Sequence, residues 1–268
     1  VVKELDFPMW AGELETERVL SGERVALARA MTGAEESAWS DSFRTTIRQA
    51  AAKRTVPVLG ITGTGGSGKS SLTDELVRRL RVDQQDKLRV TVIAVDPTRR
   101  KGGGALLGDR IRANSLDGEQ IFFRSLATRG AHEVPTQLGD VIAVAKAGGA
   151  DLVIVETPGI GQGDAGILPF VDHSLYVMTP EFGAASQLEK IDMLDFADTV
   201  AINKFERRGA ADALRDVARQ LVRNREAFGQ QPQDMPVFGT SAARFNDDGV
   251  TALYQHLRDS LAEHGLPI

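Results

Sequence analysis

One eight-residue segment, Gly63–Ser70, constrains the fold of this chain more than any other part of the sequence. It reads GTGGSGKS, follows the apolar run Val56–Thr62 and precedes the helical pattern Lys69–Arg81. Glycines in such a segment let successive backbone N–H groups turn toward one anion, and the N-terminus of the following helix adds the positive end of its dipole. The segment therefore predicts a phosphate-binding loop between a strand and a helix.

The side chains of this loop predict what it binds. In loops of this type the lysine, here Lys69, reaches the β- and γ-phosphates of a nucleoside triphosphate, and the hydroxyl of Ser70 joins the coordination shell of Mg²⁺. We therefore predict nucleotide hydrolysis with Lys69 as a catalytic residue. The predicted phosphate-binding residues are Gly63, Gly65, Gly66, Ser67, Gly68, Lys69, Ser70 and Ser71.

Short β-branched runs alternate with helical patterns through residues 55–268. The predicted strands are Val56–Thr62, Leu88–Val95, Ile121–Leu126, Leu152–Glu156, Ser174–Met178, Thr199–Ile202 and Val237–Gly239. The predicted helices are Lys69–Arg81, Pro135–Ala147, Ser186–Phe196, Ala210–Phe228 and Gly249–Glu263. This alternation is typical of a mostly parallel sheet with helices on both faces, so we predict a doubly wound α/β domain over residues 55–268.

Residues 1–54 differ in pattern from the rest of the chain, because residues 9–54 contain no strand signal. Ser21 is a candidate N-cap for a helix that carries Val25, and Trp39 and Phe43 begin an every-fourth-residue apolar pattern on a second helix. We predict a helical extension before the α/β domain. We assign these aromatic residues no chemistry.

Composition excludes several classes of function. The net charge of −5 argues against a broad nucleic-acid surface, and the apolar runs fall short of the roughly 18 residues that a membrane span needs. The chain has no cysteine, which excludes disulfides and zinc–thiolate sites, and its four histidines are scattered. No signal peptide is visible, so we expect a cytoplasmic protein. The first residue, Val1, suggests a processed chain or a piece of a larger protein.

Two carboxylates follow predicted strands at positions where they can reach a metal ion. Asp96 ends the strand Leu88–Val95, and Glu156 ends the strand Leu152–Glu156. The carboxyl ends of parallel strands open onto one crevice, which is also where the phosphate-binding loop lies. We therefore predict that Asp96 and Glu156 are catalytic residues and that both hold Mg²⁺ with Ser70, directly or through water.

The segment Glu156–Gly159, which reads ETPG, resembles the D-x-x-G segment of GTPases with glutamate in place of aspartate. The Gly159 amide is then a candidate sensor of the γ-phosphate. Gln162 lies in the same glycine-rich stretch, where it could orient a water molecule or simply be solvated. The glutamate weakens the case for direct metal ligation.

A basic, glycine-containing segment follows Asp96. It contains the run Arg99–Lys101 and the glycines Gly102–Gly104, which are typical of a mobile switch loop. A cation in this loop could offset charge on the transferred phosphoryl group, as arginine fingers do. The run could equally be a solvated surface segment.

Two further segments predict the choice of base. Asn203–Glu206, which reads NKFE, resembles the guanine-binding N-K-x-D signature, and Ser241-Ala242 follows the last predicted strand. In that signature the carboxylate accepts hydrogen bonds from guanine N1–H and the exocyclic amine, and adenine offers no matching pair of donors. We predict that Asn203, Lys204, Glu206, Ser241 and Ala242 bind a guanine nucleotide.

Taken together, these motifs resemble the MeaB/ArgK family, the G-protein chaperones of adenosylcobalamin-dependent acyl-CoA mutases. The stretches that carry the resemblance are GITGTGGSGKSSL, AVDPTRRKGGGALLGDRIR, SLATRG, ETPGIGQGD and the NK pair. Within the family, the chain most resembles the members in which this module is fused to isobutyryl-CoA mutase. A fusion of that kind would explain why the chain begins with Val1.

The resemblance implies a SIMIBI-like P-loop GTPase that gates cofactor loading and protection of such a mutase. It implies a mutase partner in cis or in trans, a homo-oligomer, and adenosylcobalamin bound by the partner alone. Family roles place Asp109 with the Mg²⁺ ligands and Arg112 near the phosphates. Glu206 replaces the usual aspartate, and Ala184-Ala185 replace acidic residues within Thr179–Lys190, which matches a switch loop that couples nucleotide state to the partner.

Other readings of the same loop remain open at this point. A P-loop kinase would need a pocket for a phosphoryl acceptor, and no lid-like arginine cluster is obvious. A ParA/MinD-like scaffold would prefer ATP and associate with filaments or membranes. Nickel-delivery GTPases share the loop but use Cys/His metal sites, and this chain has no cysteine.

Overall fold

The computed structural model describes residues 14–97, 115–116, 118–128, 134–159, 164–183, 188 and 191–268. These residues form one seven-stranded sheet in the order β3-β2-β4-β1-β5-β6-β7, and all its paired strands are parallel. The strands are β1 (Val58–Gly63), β2 (Val90–Pro97), β3 (Ile121–Thr128), β4 (Leu152–Glu156), β5 (His173–Met178), β6 (Thr199–Asn203) and β7 (Val237–Thr240). The predicted α/β fold is confirmed.

Helices cover both faces of this sheet. In chain order they are α1 (Thr16–Leu20), α2 (Arg24–Glu35), α3 (Asp41–Ala52), α4 (Lys69–Asp83), α5 (Leu138–Ala147), α6 (Met193–Phe196), α7 (Ala210–Asn224) and α8 (Asp248–Glu263). Short 3₁₀ turns occupy Asp164–Phe170, Pro180–Phe182 and Pro232–Asp234. Right-handed crossovers through such helices are what parallel neighbours require.

Alternating side chains of β1 belong to two of the three apolar clusters that the described residues form. In β1, Val58 belongs to a cluster with Val141 of α5, whereas Leu59 and Ile61 belong to a cluster with Leu72 of α4. Successive side chains of a strand point to opposite faces, so a strand buried on both faces is apolar throughout. The cores therefore hold the carboxyl ends of β1, β2, β4, β6 and β7 along one edge of the sheet.

The N-terminal helices pack directly on the α/β layers. Helices α2 and α3 share a core cluster with α5, and Arg48 of α3 donates to a carboxylate oxygen of Asp140 at 2.8 Å. The indole N–H of Trp39 donates to the carbonyl oxygen of Ala30 at 2.8 Å. These helices therefore add to the core that supports β2, β3 and β4.

Details of the N-terminal helices differ from the sequence prediction. Ser21 lies at the C-cap of α1, and Glu23 precedes the first residue of α2 without a side-chain cap. Val25 is 61% exposed, because α2 turns Ala26 and Leu27 inward instead. Trp39 precedes α3, whose N-cap is Ser40, and its ring packs edge-on against Phe43 at 5.1 Å between centroids.

Several helix ends also differ from their predicted positions. Helix α5 begins at Leu138 rather than Pro135, and α7 ends at Asn224 rather than Phe228. The predicted helix Ser186–Phe196 is wrong at residues 191 and 192, since α6 begins at Met193. No helix within the described ranges is both long and apolar enough to cross a membrane.

Candidate nucleotide-binding site

The predicted phosphate-binding loop joins β1 to α4 at the carboxyl edge of the sheet. β1 ends at Gly63 and α4 begins at Lys69, so the loop lies between a buried strand and a helix N-terminus. Gly63 has φ +140°, and a Cβ at this position would lie 1.9 Å from the carbonyl oxygen of Val177. Gly68 has φ +88°, and its Cβ would lie 2.6 Å from Nδ2 of Asn203. Glycine is therefore required at both ends of the loop.

Lys69 lies beneath the loop with only 7% of its surface exposed. Its Nζ donates to the carbonyl oxygens of Gly63 at 3.0 Å and Thr64 at 3.1 Å. The backbone of Gly159 packs against the same ammonium group, because a Cβ on Gly159 would lie 2.0 Å from Nζ. The structure thus brings Lys69 and Gly159 together at the phosphate-binding loop.

The remaining loop residues have different surroundings. Ser67 is fully buried, and its Oγ has no hydrogen-bond partner among the described residues. Gly65 lies beside the carbonyl oxygen of Gly159, which is 3.2 Å from the position of a Cβ. Ser71 is exposed in the first turn of α4.

Glu156 faces the first turns of α4 from the end of β4. Its carboxylate accepts hydrogen bonds from the hydroxyl of Ser70 at 2.6 Å and from the hydroxyl of Thr73 at 2.9 Å. Ser70 and Thr73 are three residues apart and therefore lie on the same face of the helix. Sequence reasoning missed Thr73, although its spacing from Ser70 was a readable signal.

Asp96 lies on β2, the strand next to β4. Ala94 pairs with Glu156, so Asp96 is two residues further along the same edge. Asp96 is buried and accepts a hydrogen bond from the hydroxyl of Ser125 on β3. Two carboxylates and the Ser70 hydroxyl therefore lie at the ends of neighbouring strands and at the start of α4.

This set of oxygen donors fits a magnesium ion. Mg²⁺ prefers one or two carboxylates together with hydroxyl, water and phosphate oxygens, and it does not need an all-protein cage. Within the part of the chain that the structure describes, no three His, Asp or Glu side chains group into such a cage. The donors of Ser70, Asp96 and Glu156 match the first type of site.

Asn203 connects the phosphate-binding loop with the loop after β7. Its Nδ2 donates to the carbonyl oxygen of Ser67 at 2.8 Å. Its Oδ1 accepts from the backbone N–H of Ala242 at 3.1 Å and from the hydroxyl of Thr240 at 3.2 Å. Asn203 is only 2% exposed, so this amide forms a buried tie between the two loops.

Glu206 contacts the residue before Ala242 in the loop after β7. Its carboxylate accepts a hydrogen bond from the hydroxyl of Ser241 at 2.8 Å. A backbone hydrogen bond at Glu206 and this hydroxyl hold the pKa of Glu206 below its ordinary value, so the side chain is an anion at neutral pH. Lys204, at φ +60°, donates from Nζ to the carbonyl oxygen of Gly66 at 2.7 Å.

The structure therefore brings most of the predicted residues to one edge of the sheet. The predicted residues that fall outside the described part of the chain are Asp109, Arg112, Gln162, Arg99–Lys101, Gly102–Gly104 and Ala184-Ala185. Their roles stay predictions. Asp247, which contacts Ser241, was missed because no motif includes it.

Residues 27–265 match the family model described as methylmalonyl-CoA mutase-associated GTPase MeaB. The fused isobutyryl-CoA mutase of Nocardia farcinica is 74% identical over 252 residues, which are 94% of this chain and 24% of that protein. The fused isobutyryl-CoA mutase of Cupriavidus metallidurans is 62% identical over 93% of this chain and 23% of that protein. The chain thus spans about a quarter of these relatives.

More distant relatives cover most of the chain as well. The GTPase ArgK of Escherichia coli is 34% identical over 70% of this chain and 57% of that protein. A solved structure of a LAO/AO transport system kinase is 25% identical with a TM-score of 0.64, covering 92% of this chain and 74% of that chain. The hydrogenase maturation factor HypB of Archaeoglobus fulgidus, at 16% identity and a TM-score of 0.52 over 81% of this chain and 96% of that one, shares the fold.

Proposed function

The chain belongs to the MeaB family of mutase-associated GTPases, and from this premise we propose that it binds Mg²⁺–GTP, hydrolyses it and thereby gates an adenosylcobalamin-dependent acyl-CoA mutase. Gating here means control of cofactor loading and protection of the loaded mutase. The homo-oligomeric state and cytoplasmic location that the sequence predicts belong to the same proposal.

The observation that carries the choice of guanine is the position of Glu206. Its anionic carboxylate accepts a hydrogen bond from the Ser241 hydroxyl. Glu206 lies three residues after Asn203, whose side chain is hydrogen-bonded to the phosphate-binding loop. A carboxylate in this place can accept the two hydrogen bonds that guanine N1–H and the exocyclic amine donate. Adenine offers no matching pair of donors, so it would gain neither hydrogen bond from this carboxylate.

The hydrolytic roles follow from the same geometry. The amides of the loop and the Lys69 ammonium group oppose the negative charge of the phosphates, and charge that develops during transfer is stabilised in the same way. Ser70, Asp96 and Glu156, with Asp109 as the resemblance implies, would hold Mg²⁺. The ion, when bound, neutralises charge on the β- and γ-phosphates. Thr73 would still hold the Glu156 carboxylate if the Ser70 hydroxyl became a metal ligand.

Gly159 and Arg112 complete the proposed phosphate site. The backbone of Gly159 lies against Lys69, so its amide is close to the position where the γ-phosphate meets the ammonium group. Arg112 is assigned to the phosphates from the resemblance. If the γ-phosphate ordered the segments that carry these two residues, the protein would have one state with GTP bound and another after hydrolysis.

The proposed client is a mutase of the isobutyryl-CoA type, joined in cis. This part of the proposal is supported by the 74% and 62% identity to fused isobutyryl-CoA mutases, of which the chain corresponds to about a quarter. Adenosylcobalamin would be bound by the mutase portion, as the family resemblance implies.

Replacing Glu206 with alanine tests the choice of base. We expect the dissociation constants of GTP and GDP to rise roughly tenfold to a hundredfold, because a hydrogen bond to a charged group contributes about 1.5–3 kcal/mol. The affinity for ADP should stay within about twofold, since adenine makes no use of the carboxylate. Isothermal titration with each nucleotide measures these changes.

Glu263→Ala is the matched control for this experiment. Glu263 is an exposed glutamate in the last turn of α8, far along the chain from either nucleotide-binding loop, and its removal should change neither affinity. Equal losses of GDP and ADP affinity in Glu206→Ala would mean that Glu206 supports the loop without reading the base.

Coupling to the mutase is tested by measuring GTP hydrolysis with and without the mutase portion. We expect the mutase to change the hydrolysis rate or the GTP affinity by roughly fivefold or more. A change in GTP affinity would be matched by a change of mutase affinity by the same factor, because coupling between binding sites is reciprocal. Identical rates and affinities in both states would reduce the proposal to a GTPase of unknown client.

The segment that starts at Thr179 offers a sharper variant of this test. Glu181 accepts a hydrogen bond from Arg207 at 2.6 Å, and Arg207 follows Glu206 directly, so the pair links this segment to the loop after β6 that carries Glu206. Glu181→Ala should disturb the response to the mutase more than basal hydrolysis. Asp212→Ala, which removes a similar exposed ion pair with Arg215 at 2.7 Å, should leave the response unchanged.

A further inference from the structure

Asp247 lies where the loop after β7, which carries Ser241 and Ala242 and is called the base loop below, meets the start of α8. It is the N-cap of α8, and its Oδ1 accepts from the backbone N–H of Val250 at 2.9 Å. The same oxygen accepts from the backbone N–H of Ser241 at 3.1 Å. One carboxylate oxygen therefore fixes both the first turn of α8 and the residue whose hydroxyl holds Glu206.

We infer that Asp247 is a specificity-determining positioning residue, which orients Glu206 toward guanine by fixing the backbone of Ser241. This inference rests on the proposed role of Glu206 in reading the base. Asp247 acts through Ser241 and makes no contact with the nucleotide in this scheme. The path runs from the Asp247 carboxylate to the Ser241 N–H, and from the Ser241 hydroxyl to the Glu206 carboxylate.

The backbone of Ser241 is buried and depends on Asp247 for its hydrogen bond. Ser241 is only 3% exposed, so its N–H needs an acceptor inside the protein, and Asp247 supplies it. The next residue, Ala242, has its own acceptor in Asn203. The two successive N–H groups of the base loop are therefore held by different side chains, one from β6 and one from the cap of α8.

The helix start that carries Asp247 is itself held against the sheet. A Cβ on Gly249 would lie 1.8 Å from the carbonyl oxygen of Gly239, so the first turn of α8 presses directly on β7. The close approach leaves the cap little room to move. A displacement of Asp247 would therefore pass to Ser241 rather than being absorbed by α8.

A second anchor connects Asp247 to the helix that follows the phosphate-binding loop. Arg79 of α4 donates from Nη2 to the backbone carbonyl oxygen of Asp247 at 3.1 Å. Arg79 is held in turn by Glu75 at 2.5 Å, one turn earlier on α4, and both side chains are mostly shielded from solvent. The base loop is thus tied to α4 at a point distinct from the Asn203 tie.

The experiment compares Asp247→Ala and Asp247→Asn in binding to GDP and to inorganic pyrophosphate. We expect Asp247→Ala to weaken GDP binding roughly tenfold, which corresponds to the contribution of about one hydrogen bond. The affinity for pyrophosphate should stay within about twofold, because pyrophosphate has no base. Asp247→Asn should restore GDP binding to within about threefold of the unaltered chain, because the Asn oxygen accepts the same two N–H groups.

Ser40→Ala separates a specific effect from loss of a helix cap. Ser40 caps α3 by accepting from the N–H of Phe43 at 3.2 Å, at the opposite face of the fold from the base loop. Its removal should lower the unfolding midpoint to a similar degree as Asp247→Ala while leaving both affinities unchanged. A GDP loss in Ser40→Ala equal to that in Asp247→Ala would overturn the inference.

Glu206→Ala in the same assay distinguishes failure of the inference from failure of the proposed function. If Glu206→Ala leaves GDP binding unchanged, the proposed base contact fails. If Glu206→Ala weakens GDP binding and Asp247→Ala does not, the role of Asp247 alone fails. The double variant should bind GDP about as well as Glu206→Ala, since the two residues act on one path and their effects do not add.

Discussion

Replacing Lys69 with alanine is expected to lower the rate of GTP hydrolysis roughly a hundredfold to a thousandfold, the usual cost of removing one preorganised charge-stabilising group. Lys69 is the cation of the phosphate-binding loop, and its Nζ lies 3.0 Å from the carbonyl oxygen of Gly63. Without it, the charge on the β- and γ-phosphates loses its nearest protein counter-charge. Single-turnover hydrolysis measures the change separately from product release.

Lys69→Arg sharpens this test, because it keeps the charge and changes the shape. The backbone of Gly159 packs closely on Nζ, which leaves little space for the larger guanidinium group. We therefore expect Lys69→Arg to lose nearly as much activity as Lys69→Ala. Lys53→Ala, at an exposed lysine after α3, should hydrolyse GTP at the original rate. Hydrolysis by Lys69→Ala within about twofold of that rate would remove the mechanism.

Replacing Gly63 with alanine is expected to destabilise the fold by at least about 4 kcal/mol, which is the range reached only by severe defects. The new Cβ would lie 1.9 Å from the carbonyl oxygen of Val177, a backbone atom of the neighbouring strand β5. Relief of that contact requires separating β1 from β5. The unfolding midpoint should fall by about 10 °C or more.

Gly66→Ala is the control that isolates the steric part of this effect. Gly66 also has positive φ, at +72°, but a Cβ at this position meets nothing within 4 Å. Gly66→Ala should therefore lower the free energy of unfolding by only about 1–2 kcal/mol, because alanine disfavours a left-handed backbone. Thermal unfolding of both variants without nucleotide gives the comparison. A Gly63→Ala midpoint equal to that of Gly66→Ala would contradict the steric argument.

Much of the α/β architecture could be predicted because its signals are local. The glycine loop, the β-branched runs and the residues directly after strands β4 and β6 can each be read from a few neighbouring positions. Parallel strands then bring their carboxyl ends to one edge whatever the exact order of the strands. The comparisons give no support to the kinase or the ATP-dependent scaffold.

The N-terminal helices were harder to predict, since their buried faces are chosen by distant partners. Val25 matched a helical apolar stripe, but contact of α2 with α5 turns Ala26 and Leu27 inward. Trp39 continued the spacing of the next helix, yet it lies before the Ser40 cap and packs back on α2 through Ala30. Tertiary packing overrides periodicity in such short helices.

The supporting residues of the site were missed for a related reason. Thr73 and Glu156 are 83 residues apart, and although the spacing of Thr73 from Ser70 places both on one face of α4, no motif includes Thr73. Asp247 reads as an ordinary helix cap, and its second hydrogen bond to Ser241 depends on the exact approach of α8 to β7. Motifs predict the groups that touch a ligand better than the groups that hold them.

The buried tie through Asn203 has a consequence for the exchange of nucleotide. Its amide bonds to the phosphate-binding loop at Ser67 and to the base loop at Ala242, so neither loop can withdraw without breaking a shielded hydrogen bond to the other. If these loops bind the base and the phosphates as proposed, a movement that breaks the Asn203 hydrogen bonds would loosen the contacts with both parts of the nucleotide. A partner that displaced only the loop at Ala242 would then also disturb the phosphate-binding loop, through a side chain that is itself buried.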